Sequence, residues 1–286
     1  MSLLQFLCDT LYYITNLFGK FRDQSPSTSA DTTGALPPRA LAIKRKLGLL
    51  RRLFLTLVDG EYRQVIDDYS QISPPERLLP ADLTIWKLHP ASPFRYLRAG
   101  DDELAPPHIR SAYKLLNLCD ASLWVTIKAA TKAFKDTGVA VAWYLVQPQP
   151  QLIFVDEDQE PVITTHSVFV VSDTMDGARY VADFTIEQFG HDAGAWFGTW
   201  AEYTERFTAG AETWQRHLRS ERKEINEQMK MEEYWAQGRK TLRVVLAGLD
   251  WADFERMSDE RRQFVEEEMV VRVEEMIGKY HKQPGN

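Results

Sequence analysis

Apolar residues fall at positions 3, 4, 6, 7, 11, 14, 17, 18 and 21, a helical spacing that predicts an amphipathic helix within residues 1–23. Asp9 interrupts the stripe and Lys20 ends it, short of the ~20 apolar residues of a spanning helix. No positive run precedes the apolar part, which argues against a secretory signal. Residues 24–38 are rich in Ser, Thr and Pro and read as a flexible linker. From Arg39 to Tyr69, Lys44, Arg45, Lys46, Arg51 and Arg52 interleave with Leu47, Leu49, Leu50, Leu53 and Phe54. That pattern predicts a basic amphipathic helix, packed with a solvated basic edge and broken or bent at Asp59-Gly60. Prolines 74, 75, 80, 90, 93, 106 and 107 forbid long helices between Ser73 and Pro107, so this aromatic stretch reads as a strap or a cleft wall.

Helix resumes from His108 to Leu116 and again from Ala121 to Lys135, where Ala, Leu and Lys run without a breaker before Gly138. Val139–Gln147, Leu152–Val155, Val162–Val171 and Arg179–Thr185 are β-patterned and predict one antiparallel sheet. Asp176-Gly177 is a reverse-turn signal between the last two runs. Centring that hairpin near Thr174-Met175 pairs 171 with 178 and 168 with 181, and so sets His166 opposite Asp183, with Cβ atoms about 5 Å apart. Beyond Gly190 the chain reads as helical, with Trp196, Trp200 and Tyr203 at core-like steps. Ala211–Gln237 then predicts a long charged helix and Thr241–Ala247 a final strand. Ser258–His281 predicts a last amphipathic helix with Phe264, Val265, Met269, Val273 and Met276 inward. Helices segregated from an antiparallel sheet make this an α+β chain, with a main domain over residues 39–286.

Apolar content of 44% and charged content of 26% are ordinary for a globular protein, and the net charge of −7 argues against a nucleic-acid partner. Cys8 and Cys119 are the only cysteines and lie in dissimilar settings. A disulfide framework is therefore not expected, and a reducing, cytoplasmic setting is. Six scattered histidines with no Cys/His cluster suggest no zinc site, and neither a metal nor a cofactor is expected. The segments 3–21 and 39–58 are where contact with a membrane surface or a partner protein is expected, if there is any.

The candidate chemistry lies at three residues. Cys119, in Asn117-Leu-Cys-Asp-Ala-Ser-Leu-Trp124, stands where a helix begins; His166 and Asp183 stand on the two β-runs of the predicted hairpin. A helix N-terminus and a nearby imidazolium both stabilise a thiolate. Asp120, the next residue, sets a negative charge beside that sulfur. The runs His166-Ser-Val-Phe-Val-Val and Tyr180-Val-Ala-Asp-Phe-Thr-Ile-Glu-Gln-Phe-Gly190 resemble the His and Asp strands of papain-like and transglutaminase-core proteins. The resemblance covers about residues 113–190. It implies a Cys-bearing helix packed on an antiparallel sheet, with helical extensions at both ends. It implies Cys119 as nucleophile, His166 as general base and Asp183 as the residue orienting the imidazole. The activity implied is thiol-dependent hydrolysis, deamidation or acyl transfer on an amide or acyl bond of a protein or small molecule, through a thioester. The other reading is a non-catalytic interaction protein that retains the core and binds through its helical termini.

Overall fold

Ten apolar and polar positions of helix α1 (Pro38–Gly60) are buried, from Ala40 to Val58, and they include Leu47, Leu49, Leu50, Leu53, Phe54 and Leu57. The stripe read from the sequence is a core element, and it stops at Gly60. Its basic edge is not simply solvated. Arg39 binds Asp173, Lys46 lies 2.7 Å from Glu255, Arg51 binds Glu187, and Arg52 lies 2.5 Å from Glu267. These acids come from the middle and the end of the chain, so α1 serves as a spine for parts distant in sequence.

The structure is a computed structural model that describes residues 36–64, 66–72, 83–90, 96–98, 106–155 and 162–282. The predicted helix at 1–23 and nearly all of the 24–38 linker lie outside the described residues. A compact unit begins at Arg39.

After α1 come four strands, β1 (Tyr62–Gln64), β2 (Ile66–Ile72), β3 (Thr84–Pro90) and β4 (Tyr96–Arg98). The helix ends at Gly60, where a break or bend was expected, and the residues beyond it as far as Tyr69 lie in strands; the Pro-punctuated stretch carries strands as well. Helices α2 (Pro107–Lys114) and α3 (Cys119–Ala133) follow, then β5 (Val139–Val146), β6 (Leu152–Val155), β7 (His166–Asp173) and β8 (Arg179–Ala182). The C-terminal part holds β9 (Phe197–Thr199), α4 (Trp200–Phe207), β10 (Gln215–Arg216), α5 (Arg219–Met231), α6 (Glu233–Val245), α7 (Trp251–Arg256) and α8 (Asp259–His281).

The main sheet has five antiparallel strands in the order β10-β5-β7-β8-β9, and α3 packs on β5 and β7. A smaller mixed sheet joins β2, β3 and β6, with β6 parallel to β3. β6 was expected in the main sheet. Pro148 and Pro150 take the chain out of it: Gln149 N–H donates to Phe207 and Gln151 N–H to Phe189, both outside the ladder. β1 and β4 form a third, two-stranded pair.

Three more expectations are corrected. The stretch 241–247 is the last turn of α6 and the turn that ends it, with Thr241, Leu242 and Val245 inward and Val244 outward, a helical rather than an alternating burial pattern. The single charged helix at 211–237 is a 3-10 turn, the short strand β10, and two helices that break at Glu232. In α8 the inward residues are Met269, Val273 and Ile277, whereas Phe264 is exposed.

Strand pairing sets which side chains share a face. Val146 pairs with His166, Tyr144 with Val168, and Val170 with Val181. Together with Ile186, Tyr203 and Phe207, the residues Val146, Val168 and Val181 form one hydrophobic cluster. Ser167, Phe169 and Val171 point to the opposite face, because side chains alternate along a strand.

Candidate active site

Cys119 is the first residue of α3, as expected, and is half-buried. The preceding turn explains why a second helix starts there. Asn117 has φ of 61°, a left-handed conformation that Asn tolerates better than most residues, and it ends the first helical run. Ser122 donates to the Cys119 carbonyl at 2.7 Å within the new first turn.

His166 opens β7, and Asp183 is the first residue beyond β8 rather than a member of it. The hairpin register differs from expectation by two residues: Val171 pairs with Tyr180 and Phe169 with Ala182. The turn is longer than a tight two-residue one. Asp173 N–H donates to Ala178 O, the Asp173 carboxylate accepts from Met175 N–H, and the Asp176 carboxylate accepts from Ala178 N–H. A slip of two residues, unlike a slip of one, keeps each side chain on its face. His166 and Asp183 thus become diagonal neighbours and still meet, with Nε2 2.8 Å from Oδ2.

The pair is sealed from solvent, His166 being 1% exposed and Asp183 0%. Tyr203 O–H donates to the same Asp183 oxygen at 2.6 Å, and Thr185 N–H donates to the other at 3.0 Å. Burial alone would raise the Asp183 pKa. The adjacent His166 and the hydrogen bonds from His166, Tyr203 and Thr185 outweigh burial and hold the carboxyl below its usual range. Burial, with the carboxylate beside it, pushes the Tyr203 hydroxyl well above 10, so it remains a donor.

With Nε2 turned to a carboxylate, which can only accept, the ring proton belongs on Nε2 and Nδ1 carries a lone pair. Gln188 faces that lone pair, its Nε2 3.2 Å from Nδ1 and 2.9 Å from Thr185 Oγ1. The Gln188 carbonyl accepts from Asn117 N–H at 3.3 Å. One buried amide therefore joins the imidazole to the loop two residues ahead of Cys119. Gln188 stands on the 3-10 turn Ile186–Phe189, whose Phe189 ring meets His166 edge-on at 4.8 Å. Arg51 of α1 binds Glu187 in this turn, and both side chains are largely buried. Gly190 closes it at φ of 79°, and a Cβ there would lie 2.8 Å from the Leu152 side chain. Only glycine satisfies both the backbone and the space.

A second tie leads from the other side of Cys119. Asp120 accepts a short hydrogen bond from Ser167 Oγ. The chain on each side of Cys119, at Asn117 and Asp120, is thus connected to the first two residues of β7. Burial raises the Asp120 pKa, opposed by the Ser167 hydroxyl and by the charges of His217 and His166.

Tyr203, Ser167 and His217 carried no site signal in the sequence. Tyr203 reads there as core spacing, which it also is. Gln188 lies inside the run that carries the family resemblance, yet nothing in spacing alone gives it a partner. His191, close by in sequence, donates through Nε2 to Gln149 O at 2.9 Å and packs on Phe207, a structural placement. Burial lowers its pKa. Among the described residues no cluster of three His, Cys, Asp or Glu side chains is arranged to hold a metal ion, and no helix is long and apolar enough to cross a membrane. Compared with protein-family models, curated proteins and solved structures, the chain matches none.

Proposed function

We propose that the chain is a thiol-dependent enzyme with a papain-like or transglutaminase-like core, acting on an amide or acyl bond through Cys119, His166 and Asp183. One observation carries this reading. A buried, fully hydrogen-bonded His166–Asp183 pair presents its Nδ1 lone pair toward an amide that is itself bonded to the loop leading into Cys119. In this reading Nδ1 takes the thiol proton, and Asp183 holds the resulting imidazolium in place. The thiolate adds to the carbonyl carbon, and His166 returns the proton to the departing group, which leaves a thioester. Water, or another nucleophile, then releases the acyl group. Partial exposure of Cys119 against full burial of Asp183 suits these roles, since only the nucleophile has to meet substrate.

Incubation with iodoacetamide followed by mass mapping tests the proposal. Cys119 is expected to label faster than Cys8 near neutral pH, and its labelling to fall sharply in His166→Ala. Equal labelling in the two proteins would remove the catalytic reading. The second reading, a non-catalytic interaction protein with this core, is favoured by Gln188 itself. Both imidazole nitrogens have partners here, as in a purely structural network.

A further inference from the structure

Helices α5 and α6 pack on each other and on α3, and a guanidinium lies where the three meet. Arg239 of α6 stacks on the Trp124 ring of α3, its Cζ 4.1 Å from the ring centroid. Arg239 Nη1 donates to Asn226 Oδ1 of α5 at 3.4 Å, and Trp124 Nε1 donates to the same oxygen at 3.2 Å. Asn226 thus anchors the stack but brings no charge to it. Arg239 is half-buried, and among the described residues no carboxylate forms an ion pair with it. Burial accordingly lowers its pKa, with nothing to offset the effect. A half-buried cation without a counter-ion is costly. The stack leaves the remaining N–H groups directed in the guanidinium plane, where the two oxygens of a carboxylate fit.

The charge around Arg239 has the same sign. On α5, Arg219, Arg222 and Lys223 lie seven, four and three residues before Asn226, so they share its side of the helix, and all three are exposed. Glu221 and Glu224 fall on other sides, and Glu227 is paired with Lys230 at 2.9 Å. On α6, exposed Arg243 stands one turn beyond Arg239. Among the described residues none of Arg219, Arg222, Lys223 and Arg243 forms an ion pair. Helix α1 differs, since Arg39, Arg45, Lys46, Arg51 and Arg52 all have acidic partners within the chain. In a protein of net charge −7, a basic face without internal counter-ions is the exception. Arg219 and Arg222 also occupy the first turn of α5, the positive end of the helix dipole, where a cation lowers stability.

We propose that this face of α5 and α6 docks an acidic peptide segment of a partner protein, with one Asp or Glu carboxylate held in the fork of Arg239. The proposal is independent of the chemistry at Cys119. With Trp124 covering one side of the guanidinium, its edge receives a planar carboxylate through two parallel N–H···O bonds. Positive charge continues for about 10 Å along α5, from Asn226 to Arg219, and so meets several carboxylates in succession, more than a single small anion carries. The apolar residues Ile225 and Met229 of α5 are buried, which leaves no apolar face to insert into a membrane surface. The net negative charge of the whole chain opposes the long uniform charge of a nucleic acid.

Fluorescence anisotropy of a fluorescein-labelled decaglutamate peptide, titrated with the full chain at low salt, tests the proposal. Saturable binding that weakens as salt is raised is expected. Arg239→Gln should weaken it about tenfold or more, and Arg239→Lys should recover little of that loss, because an ammonium lacks the fork. Arg45→Gln removes the same charge from a cation that Asp259 already holds, and should leave the affinity nearly unchanged. Absence of saturable binding overturns the proposal, as does wild-type affinity in Arg239→Gln or Arg239→Lys, or an equal loss in Arg45→Gln. If Arg239→Gln does not fold, unchanged affinity in the exposed double variant Arg222→Gln with Lys223→Gln overturns it. Displacement of the peptide by a single-stranded DNA decamer, or by vesicles of anionic phospholipid, at lower concentration than by unlabelled decaglutamate overturns the choice of an acidic peptide.

Discussion

Tyr203 donates its hydroxyl to the same oxygen of Asp183 that receives His166, at 2.6 Å and 2.8 Å respectively. Helix α4 thus reaches through the hydrophobic layer beneath the sheet to take part in the polar pair. Tyr203→Phe keeps the ring and removes the bond. It should cost about 1–2 kcal/mol in denaturant unfolding and slow Cys119 alkylation, since a weaker hold on the Asp183 charge weakens the imidazolium.

Substitutions in the proposed triad should rank by role. Cys119→Ala should abolish turnover and leave melting nearly unchanged, because the volume lost is small. His166→Ala should be about as severe, since residues acting as a unit are not additive. Asp183→Asn should be milder in turnover than either, yet cost orders of magnitude if the imidazole tautomer is lost. Rates of p-nitrophenyl acetate hydrolysis and melting curves read the two effects apart.

Gln188→Ala separates a cap from a support. Without the amide, Nδ1 of His166 is open to the thiol, so alkylation of Cys119 should speed up while melting falls. A slower reaction would mean that Gln188 holds the imidazole in its working position.

Arg51→Ala leaves Glu187 largely buried without its cation and should destabilise by about 3–5 kcal/mol. The double change Arg51→Met with Glu187→Leu should recover most of that loss. Denaturant midpoints for the three proteins check it. The site should be affected as well, because Glu187 precedes Gln188 on one tight turn.

Stability should fall with acidification in two steps. His191 and His217 have lowered native pKa values, so below the unfolded value of about 6.5 the unfolded chain binds protons that the native one does not, and stability declines. Asp183 has a lowered native pKa, so its contribution is full above about 3.9 and is lost as pH falls through its native value. Asp120 acts oppositely: its raised pKa means that protonation relieves a penalty present at neutral pH. Melting temperature against pH should show the first step shrink in His191→Gln, while Asp183→Asn removes the second.

What was legible from the residues follows the range of the forces involved. The turn signal Asp176-Gly177 is local, so adjacency of the two strands could be read from it. The register could not, because it depends on the Asp173 and Asp176 side chains closing the turn and on Arg39, far away in sequence, holding Asp173. Cys119 at a helix start was legible from Ala- and Leu-rich sequence after Asn117-Leu118. The position of β6 was not, since a short apolar run can join any sheet with an open edge. Tyr203 and Gln188 show a further reason: core spacing and a polar contact can belong to one residue, and periodicity reports only the first.

The spine helix has a consequence for how the chain comes to be folded. During synthesis α1 leaves the ribosome long before Glu187, and longer still before Glu255 and Glu267, which neutralise Lys46 and Arg52. Until those residues arrive, a leucine-rich, positively charged helix has neither its apolar cover nor its counter-ions, and contacts so distant in sequence form slowly. In that interval α1 is an exposed basic amphipathic segment, and the helices that carry Glu255 and Glu267 are the ones that neutralise it.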